Sequence, residues 1–365
     1  MLQGLDLNNV TGLNKALERA ARTLVQKADI PEASAKQAIT LYDGVYDYAA
    51  PTNIFGGSLI DFRPQGNSRN ANDYVYKKGI EQFDRTKALL PNGYMLSFEN
   101  NKGVGIVRVA SPKPSARAIL DNMDVITDWT AAGSASGLAK DETVYYNSPS
   151  SLRFTLTGSD TGTLTKAINQ IDIDTYEDVC VGFLAIRTPS ITNLTSIAVR
   201  VGSSASAYDE VTDTDGFLGA WTVDEWLIVA FDFSGATSTG TPDWNAIDYV
   251  QIRVAHSGTI TNFRVGGFWL ALPSPHEMIY QTAAIFLRGG ALAKTITDDT
   301  DEIVLNDAAY NLYEHECAVT IAEQASGGNL DGVALGYKNK LDKELYPMYR
   351  ADNPSQEVRS IGSYI

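Results

Sequence analysis

Six short apolar runs recur between residues 151 and 270, at 151–156, 179–184, 196–201, 226–233, 249–254 and 262–270, with Gly, Pro, Asn, Asp and Ser clustered between them. Runs of this length separated by turn residues specify packed antiparallel sheets, because the apolar side of each sheet must be buried against another. All five tryptophans of the chain (Trp129, Trp221, Trp226, Trp244 and Trp269) fall between residues 116 and 273, the stretch that contains these runs. Charge marks it as well. Residues 116–273 carry 8 Lys and Arg against 19 Asp and Glu, whereas 1–115 carry 14 against 11 and 274–365 carry 7 against 14. Proline flanks the stretch at Ser111-Pro112-Lys113-Pro114-Ser115 and at Pro273-Ser274-Pro275, where it blocks continuation of helix or ladder, so both sites read as linkers. The expected architecture is α+β and multidomain. An antiparallel β-sandwich at 116–273 is inserted into a discontinuous, mainly helical domain with a few strands, built from 1–115 and 274–365.

The flanking segments carry the helical period. Leu13, Ala16, Leu17, Ala20, Leu24, Val25 and Ala28 line one face of a first helix. After the break at Asp29-Ile30-Pro31, Ala35, Ala38, Ile39, Tyr42, Val45 and Tyr46 repeat the spacing and predict a helical hairpin. Runs at 58–63, 94–98 and 104–109 predict two or three strands. Towards the C-terminus, Ala309, Leu312, Tyr313, Cys317 and Ile321 predict a helix stopped at Gly327-Gly328. Tyr337, Leu341, Leu345 and Met348 give the stripe of another, ended at Asp352-Asn353-Pro354. The tail from Ser355 to Ile365 has no core of its own.

No reaction can be read from these residues. The three histidines lack the spacing of metal ligands: His315 precedes Glu316, but Val319 stands where a metalloprotease helix needs its second histidine. His315 is expected to face solvent, opposite the apolar stripe. His256 and His276 have no cysteine nearby. There is no Gly-x-Ser-x-Gly elbow and no phosphate-binding glycine loop. Cys180 and Cys317 are too few for a disulfide framework, and Met1 to Val10 lacks the pattern of a secretory signal, so assembly in a reducing cytoplasm is expected. No stretch is apolar enough to span a bilayer. A formal charge of -15 disfavours general nucleic-acid binding, although it suits a surface past which DNA slides without sticking.

The order Trp129, Ser148 to Phe154, Trp226 to Phe233, Thr241-Pro242-Asp243-Trp244-Asn245-Ala246-Ile247-Asp248-Tyr249-Val250-Gln251-Ile252-Arg253 and Phe263 to Leu270 resembles galactose-binding-like jelly rolls of carbohydrate-binding modules, which also occur in phage proteins. That resemblance covers 116–273 and implies a sheet able to bind glycan through exposed aromatics, with Trp221, Trp226 and Trp244 as candidates. Trp221 lies on a loop. Trp226 sits in a strand pattern that also suits packing, and Trp244 precedes a strand, where it plugs the end of the core in many such folds. The same resemblance allows a structural calcium. Asp121, Asp124, Asp172, Asp174 and Asp178 could supply oxygen ligands, but no regular calcium loop is present and a solvated acidic face is the better expectation, with no other cofactor.

The flanking segments resemble head-to-tail connector, or neck adaptor, proteins of tailed bacteriophages. The features are the Leu13 to Ala28 helix, Leu59-Ile60-Asp61-Phe62-Arg63-Pro64-Gln65, the Asn306 to Gln324 helix, and the ending Tyr349-Arg350-Ala351-Asp352-Asn353-Pro354 with its arm. This resemblance implies a non-enzymatic virion protein, assembled in the host cytoplasm. It would form a homomeric ring, commonly of twelve, on a portal and meet tail or neck proteins through Val358, Ile361, Tyr364 and Ile365, with DNA only as the passing genome. The other role is a glycan-binding adhesion or decoration protein that meets host-surface glycan. A glycan-active enzyme is the third.

Overall fold

The computed structural model describes residues 10–28, 30, 33–51, 54–64, 75–77, 94–101, 104–110, 117–146, 148–219, 221–282, 286–288, 291–293, 302–303, 305–325, 330 and 332–352. Two compact units divide the chain. One contains Met1–Ile39, Ala49–Ala110 and His276–Ile365; the other contains Thr40–Tyr48 and Ser111–Pro275.

The second unit is a sandwich of two antiparallel sheets built from β1 (Arg117–Asp121), β2 (Trp129–Gly133), β3 (Ala135–Asp141), β4 (Ser151–Leu156), β5 (Asp160–Ile171), β6 (Val181–Arg187), β7 (Leu194–Ser204), β8 (Ala207–Asp213), β9 (Leu227–Asp232), β10 (Thr237–Thr239), β11 (Ile247–His256) and β12 (Ile260–Ala271). One sheet runs β9-β6-β12-β4-β3, with β1 also paired to β12, and the other runs β10-β8-β7-β11-β5-β2. Alternation explains how they meet. Ile197, Val199 and Val201 of β7 and Val250, Ile252 and Val254 of β11 point inward, where they join Leu152, Phe154, Phe231, Phe263 and Phe268 from the opposite sheet. The two-sheet antiparallel architecture is the one implied by the resemblance.

Residues 35–46 are not the second arm of a helical hairpin. Ser34–Leu41 is a strand, and the segment after it belongs to the sandwich unit. Tyr42 packs on Phe183 with ring centroids 5.1 Å apart, Tyr48 lies 5.7 Å from Phe217, and the Trp269 indole donates to the Asp43 carbonyl at 2.9 Å. Gly44 turns the chain at φ +83°, where a Cβ would stand 2.9 Å from Trp269 Nε1. The spacing is helical, but packing of two tyrosines against aromatic partners far along the chain outweighs it.

In the first unit, α1 (Val10–Lys27) and α2 (Asp307–Ala325) share a core through Ala20, Leu24, Ala309, Leu312 and Cys317. Asn306 caps α2, its side chain accepting from the Ala309 amide at 2.9 Å. Beyond it, α3 (Gly332–Lys340) runs through a π-helical turn at Leu341–Leu345 into α4 (Tyr346–Asp352). That turn changes which residues face inward after it. Ala334, Leu341, Tyr346 and Tyr349 are buried, whereas Tyr337 and Met348, expected in the stripe, are 43% and 60% exposed.

Among its described residues the unit holds a good deal of strand beside these helices, so the mainly helical character expected of it is only weakly seen. Ser34–Leu41, Ser274–Thr282 and Ile54–Pro64 form one small sheet; Val104–Ala110, Tyr94–Asn101 and Val75–Lys77 join another, and Ala291–Ala293, Phe286–Arg288 and Glu302–Ile303 form a third. The runs at 58–63, 94–98 and 104–109 lie within these strands. Pro273-Ser274-Pro275, read as a linker, instead opens the Ser274–Thr282 strand, with Pro275 at its second position. The first linker and the arm residues Val358, Ile361, Tyr364 and Ile365 lie outside the described residues. Among the described residues no helix is long and apolar enough to cross a membrane.

Candidate functional site

The polar side of the β10-β8-β7-β11-β5-β2 sheet carries an ordered pattern of side chains. Because every strand pair is antiparallel and in register here, residues on one face line up in rows that cross the sheet. The middle row runs Thr237, Glu210, Arg200, Gln251, Thr165 and Thr130 across all six strands. To one side lie Tyr208, Gly202, Tyr249 and Ala167, and to the other Thr212, Ala198, Arg253, Thr163 and Ala132.

Hydrogen bonds tie the middle row together. Glu210 Oε2 accepts from Arg200 Nε and, at 2.7 Å, from Arg253 Nη1. Arg200 Nη1 donates to Gln251 Oε1 at 3.0 Å, and Gln251 Nε2 donates to Thr165 Oγ1 at 2.8 Å. Burial opposes the charge on Glu210, but hydrogen bonds from both guanidinium groups outweigh it and hold the carboxyl below its ordinary range. Such a carboxylate cannot act as a general acid at neutral pH, and no second carboxylate accompanies it in these rows.

The aromatic row depends on a glycine. Tyr208 and Tyr249 flank Gly202, two strand spacings apart, or about 9.6 Å between backbones. Their ring centroids are only 6.2 Å apart and the planes differ by 34°, so the rings lean together over the bare glycine backbone. A Cβ on Gly202 would fall 2.2 Å from the Ala207 carbonyl oxygen and 2.7 Å from the Tyr208 Cβ. Arg200 lies 4.3 Å from the Tyr208 ring centroid and supports that ring as a cation–π partner. Burial raises the Tyr249 hydroxyl above its ordinary value against the pull of Arg200, so it stays protonated and can donate.

None of the three candidate tryptophans is on this face. Trp244 is 2% exposed, packs edge-on against Phe233 and donates to Asp209 at 2.8 Å, so it serves the core and is withdrawn from any ligand. Trp221 packs against the same core and donates to the Thr214 carbonyl at 2.6 Å. Trp226 pairs with Tyr146 at 5.8 Å and abuts Gly266 of β12 in the opposite sheet. The functional signal was carried instead by alternation: Tyr249, Gln251 and Arg253 interleave with buried Val250, Ile252 and Val254. Tyr208 and Gly202, from two other strands, complete what one strand begins.

The acidic residues considered as cation ligands do not converge. Asp121 takes the Lys166 ammonium at 2.6 Å and the Met123 amide at 2.6 Å, and no three His, Cys, Asp or Glu side chains gather as a metal requires among the described residues. His315 is not turned to solvent but half-buried, stacked 6.2 Å from Tyr337. His256 is buried with Nε2 2.6 Å from Ser134 Oγ and Nδ1 2.9 Å from the Gly258 carbonyl. Through these two contacts the ring ties Ser134 to the turn at Gly258.

No family model matches the chain, and no curated protein matches it. Solved structures do. A family 11 carbohydrate-binding module from Clostridium thermocellum, in complex with a β-1,3-1,4-mixed-linked tetrasaccharide, is 14% identical over 43% of this chain and 96% of its own, with a TM-score of 0.32. The family 30 module of a cellulosomal cellulase from the same bacterium is 14% identical over 46% of this chain and 98% of its own, with a TM-score of 0.30. A structure of carbohydrate-binding modules of the β-sandwich superfamily, described for promiscuous specificity, is 12% identical over 66% of this chain and 99% of its own, with a TM-score of 0.32.

Proposed function

We propose that the sandwich is a glycan-binding domain and that its ligand lies across the rows of Tyr208 and Tyr249, Arg200, Glu210 and Gln251, and Arg253. The observation that carries this reading is the tyrosine pair leaning over Gly202 beside a hydrogen-bonded polar row. Sugars present apolar C–H faces and polar rims at once. An aromatic ring offers the first a flat apolar partner, and preset donors and acceptors offer the second hydrogen bonds with little reorganisation. The row is held in place before any ligand arrives, which lowers the ordering cost of binding.

This suits an adhesion or decoration protein, which in a virion would hold the particle to a glycan-coated surface. The ring and portal contacts rest on the C-terminal arm, outside the described residues, and carry no part of the proposal.

The test is a glycan microarray with the full chain, followed by calorimetry on the hits. Tyr249→Ala and Tyr208→Ala should each weaken binding by about tenfold or more while the thermal unfolding midpoint of the chain stays near that of the wild type. Binding that survives both substitutions, or no binding to any glycan, defeats the reading.

A further inference from the structure

We infer that the platform takes a glycan bearing carboxylate groups, a uronate-containing polysaccharide, and that Arg253 is the residue that selects it. The inference rests on the platform being a glycan site and names the class of ligand.

Two guanidinium groups share one carboxylate on this face. Arg200 is fully engaged, bonded to Glu210 and Gln251 and laid over Tyr208. Arg253 is not. It spends Nη1 on Glu210, and its Nε and Nη2 make no hydrogen bond to any described residue. The unused edge of the guanidinium is thus the Nε–Nη2 fork, whose two parallel N–H bonds match a carboxylate. The side chain is 31% exposed, so the fork is open to a ligand yet already partly desolvated.

The surroundings leave room and add no competing acid. Arg253 stands opposite Ala198 on one side and Thr163 on the other, with Thr212 and Ala132 further along the same row. Each is small, which leaves space beside the guanidinium where a ligand group can sit. The nearest acid, Glu210, already receives both guanidinium groups and balances one of them. Within a domain of 19 acidic and 8 basic residues this is a local excess of positive charge. A sugar lying on the face displaces water from Arg253, and a neutral hydroxyl restores the hydrogen bonds but not the charge balance. A carboxylate restores both. Adjacent rows are about 6.8 Å apart along a strand, and Arg253 folds back towards the middle row to reach Glu210. A sugar on the tyrosine pair and a carboxylate on the fork therefore fit within one short oligosaccharide.

The experiment uses the full chain and a panel of uronate polymers (polygalacturonate, alginate and hyaluronan), each paired with its carboxyl-reduced, uncharged form, in affinity electrophoresis and calorimetry at two salt concentrations. At least one acidic polymer should bind about 10- to 100-fold more tightly than its reduced partner, the scale of a charge-assisted hydrogen bond, and should weaken as salt rises. Arg253→Gln should erase that preference, bringing the affinity for the acidic form down to that for its reduced partner. Tyr249→Ala should weaken both forms alike. If reduced forms bind as well as acidic ones, or Arg253→Gln keeps the preference, the acidic-ligand inference is overturned while the glycan platform stands. If Tyr249→Ala leaves binding of every polymer unchanged, the platform itself is overturned.

Discussion

Trp244 and Asp209 meet inside the sandwich, the indole Nε1 donating to the carboxylate Oδ2 at 2.8 Å with 2% and 7% of the two residues exposed. The second carboxylate oxygen accepts from Ser238 Oγ at 2.6 Å. Removing the acceptor strands a buried N–H, which costs more than the hydrogen bond alone is worth. Asp209→Ala should therefore lose about 1–3 kcal/mol of stability in urea unfolding, and Asp209→Asn, which keeps an acceptor, should lose less. Trp244→Phe should lower stability and leave glycan binding intact. Loss of binding with unchanged stability would return Trp244 to the ligand site.

Asp141 gives the sandwich an acid-sensitive lock. Its Oδ1 accepts from the Thr143 amide and hydroxyl and the Val144 amide, and its Oδ2 accepts from Arg264 Nε at 2.9 Å. Burial disfavours the charge, but these bonds overcome it and hold the carboxyl well below the ordinary carboxylate range. A depressed folded value means the contribution is fully present above the unfolded pKa of about 3.9 and is lost as pH falls towards the folded one. Asp141→Asn should unfold more easily at pH 7 and show a flatter loss of stability between about pH 5 and pH 2 than the wild type. Parallel curves for the two proteins would show that another group dominates the acid limb.

How much of the fold is legible in the sequence depends on range. The sandwich was legible because its signal is local: 249–256 alternates half-buried and buried positions, and each strand declares its faces by itself. The site was not, because Gly202 has meaning only when Tyr208 and Tyr249 are known to flank it, and those pairings link three strands. Tryptophan count was a misleading guide, since the largest apolar side chains serve the core first. Residues 35–46 misled for the opposite reason. Their apolar spacing fits a helix, but strand pairing and the aromatic contacts of Tyr42 and Tyr48 decide the outcome. The π turn at Leu341–Leu345 left no mark in the apolar spacing, which continues to Met348 as if the helix were regular.

Glycan binding should resist mild acid. Both guanidinium groups hold Glu210 below its ordinary value, so the bonded row persists through the pH range above about 4.3, the unperturbed glutamate value, and comes apart only as pH falls through the lower folded value. Affinity for an uncharged glycan should be flat from about pH 8 to pH 5 and decline below about pH 4. A midpoint near pH 6–7 would point to a histidine-like group and remove Glu210 from the platform. Glu210→Gln should weaken binding across the whole range, because a neutral amide holds two guanidinium groups less firmly.

The two cysteines give each unit its own reporter. Cys180 is buried in the sandwich core and Cys317 in the helical core, and both are free. Burial pushes each thiol up to about 12, with nearby acids adding to the rise. The thiolate is the reactive form, so neither should react with a disulfide reagent at pH 8 in the native protein, and both should react after unfolding. The order of exposure follows from what surrounds them. Phe154, Phe231, Phe263 and Phe268 pack the sandwich, whereas Ala20, Ala21, Ala28, Ala33 and Ala309 supply much of the helical core, and smaller side chains bury less apolar area. In a urea series with thiol labelling and peptide mapping, Cys317 should be labelled at lower denaturant than Cys180. Simultaneous labelling would mean that the two units unfold as one cooperative block.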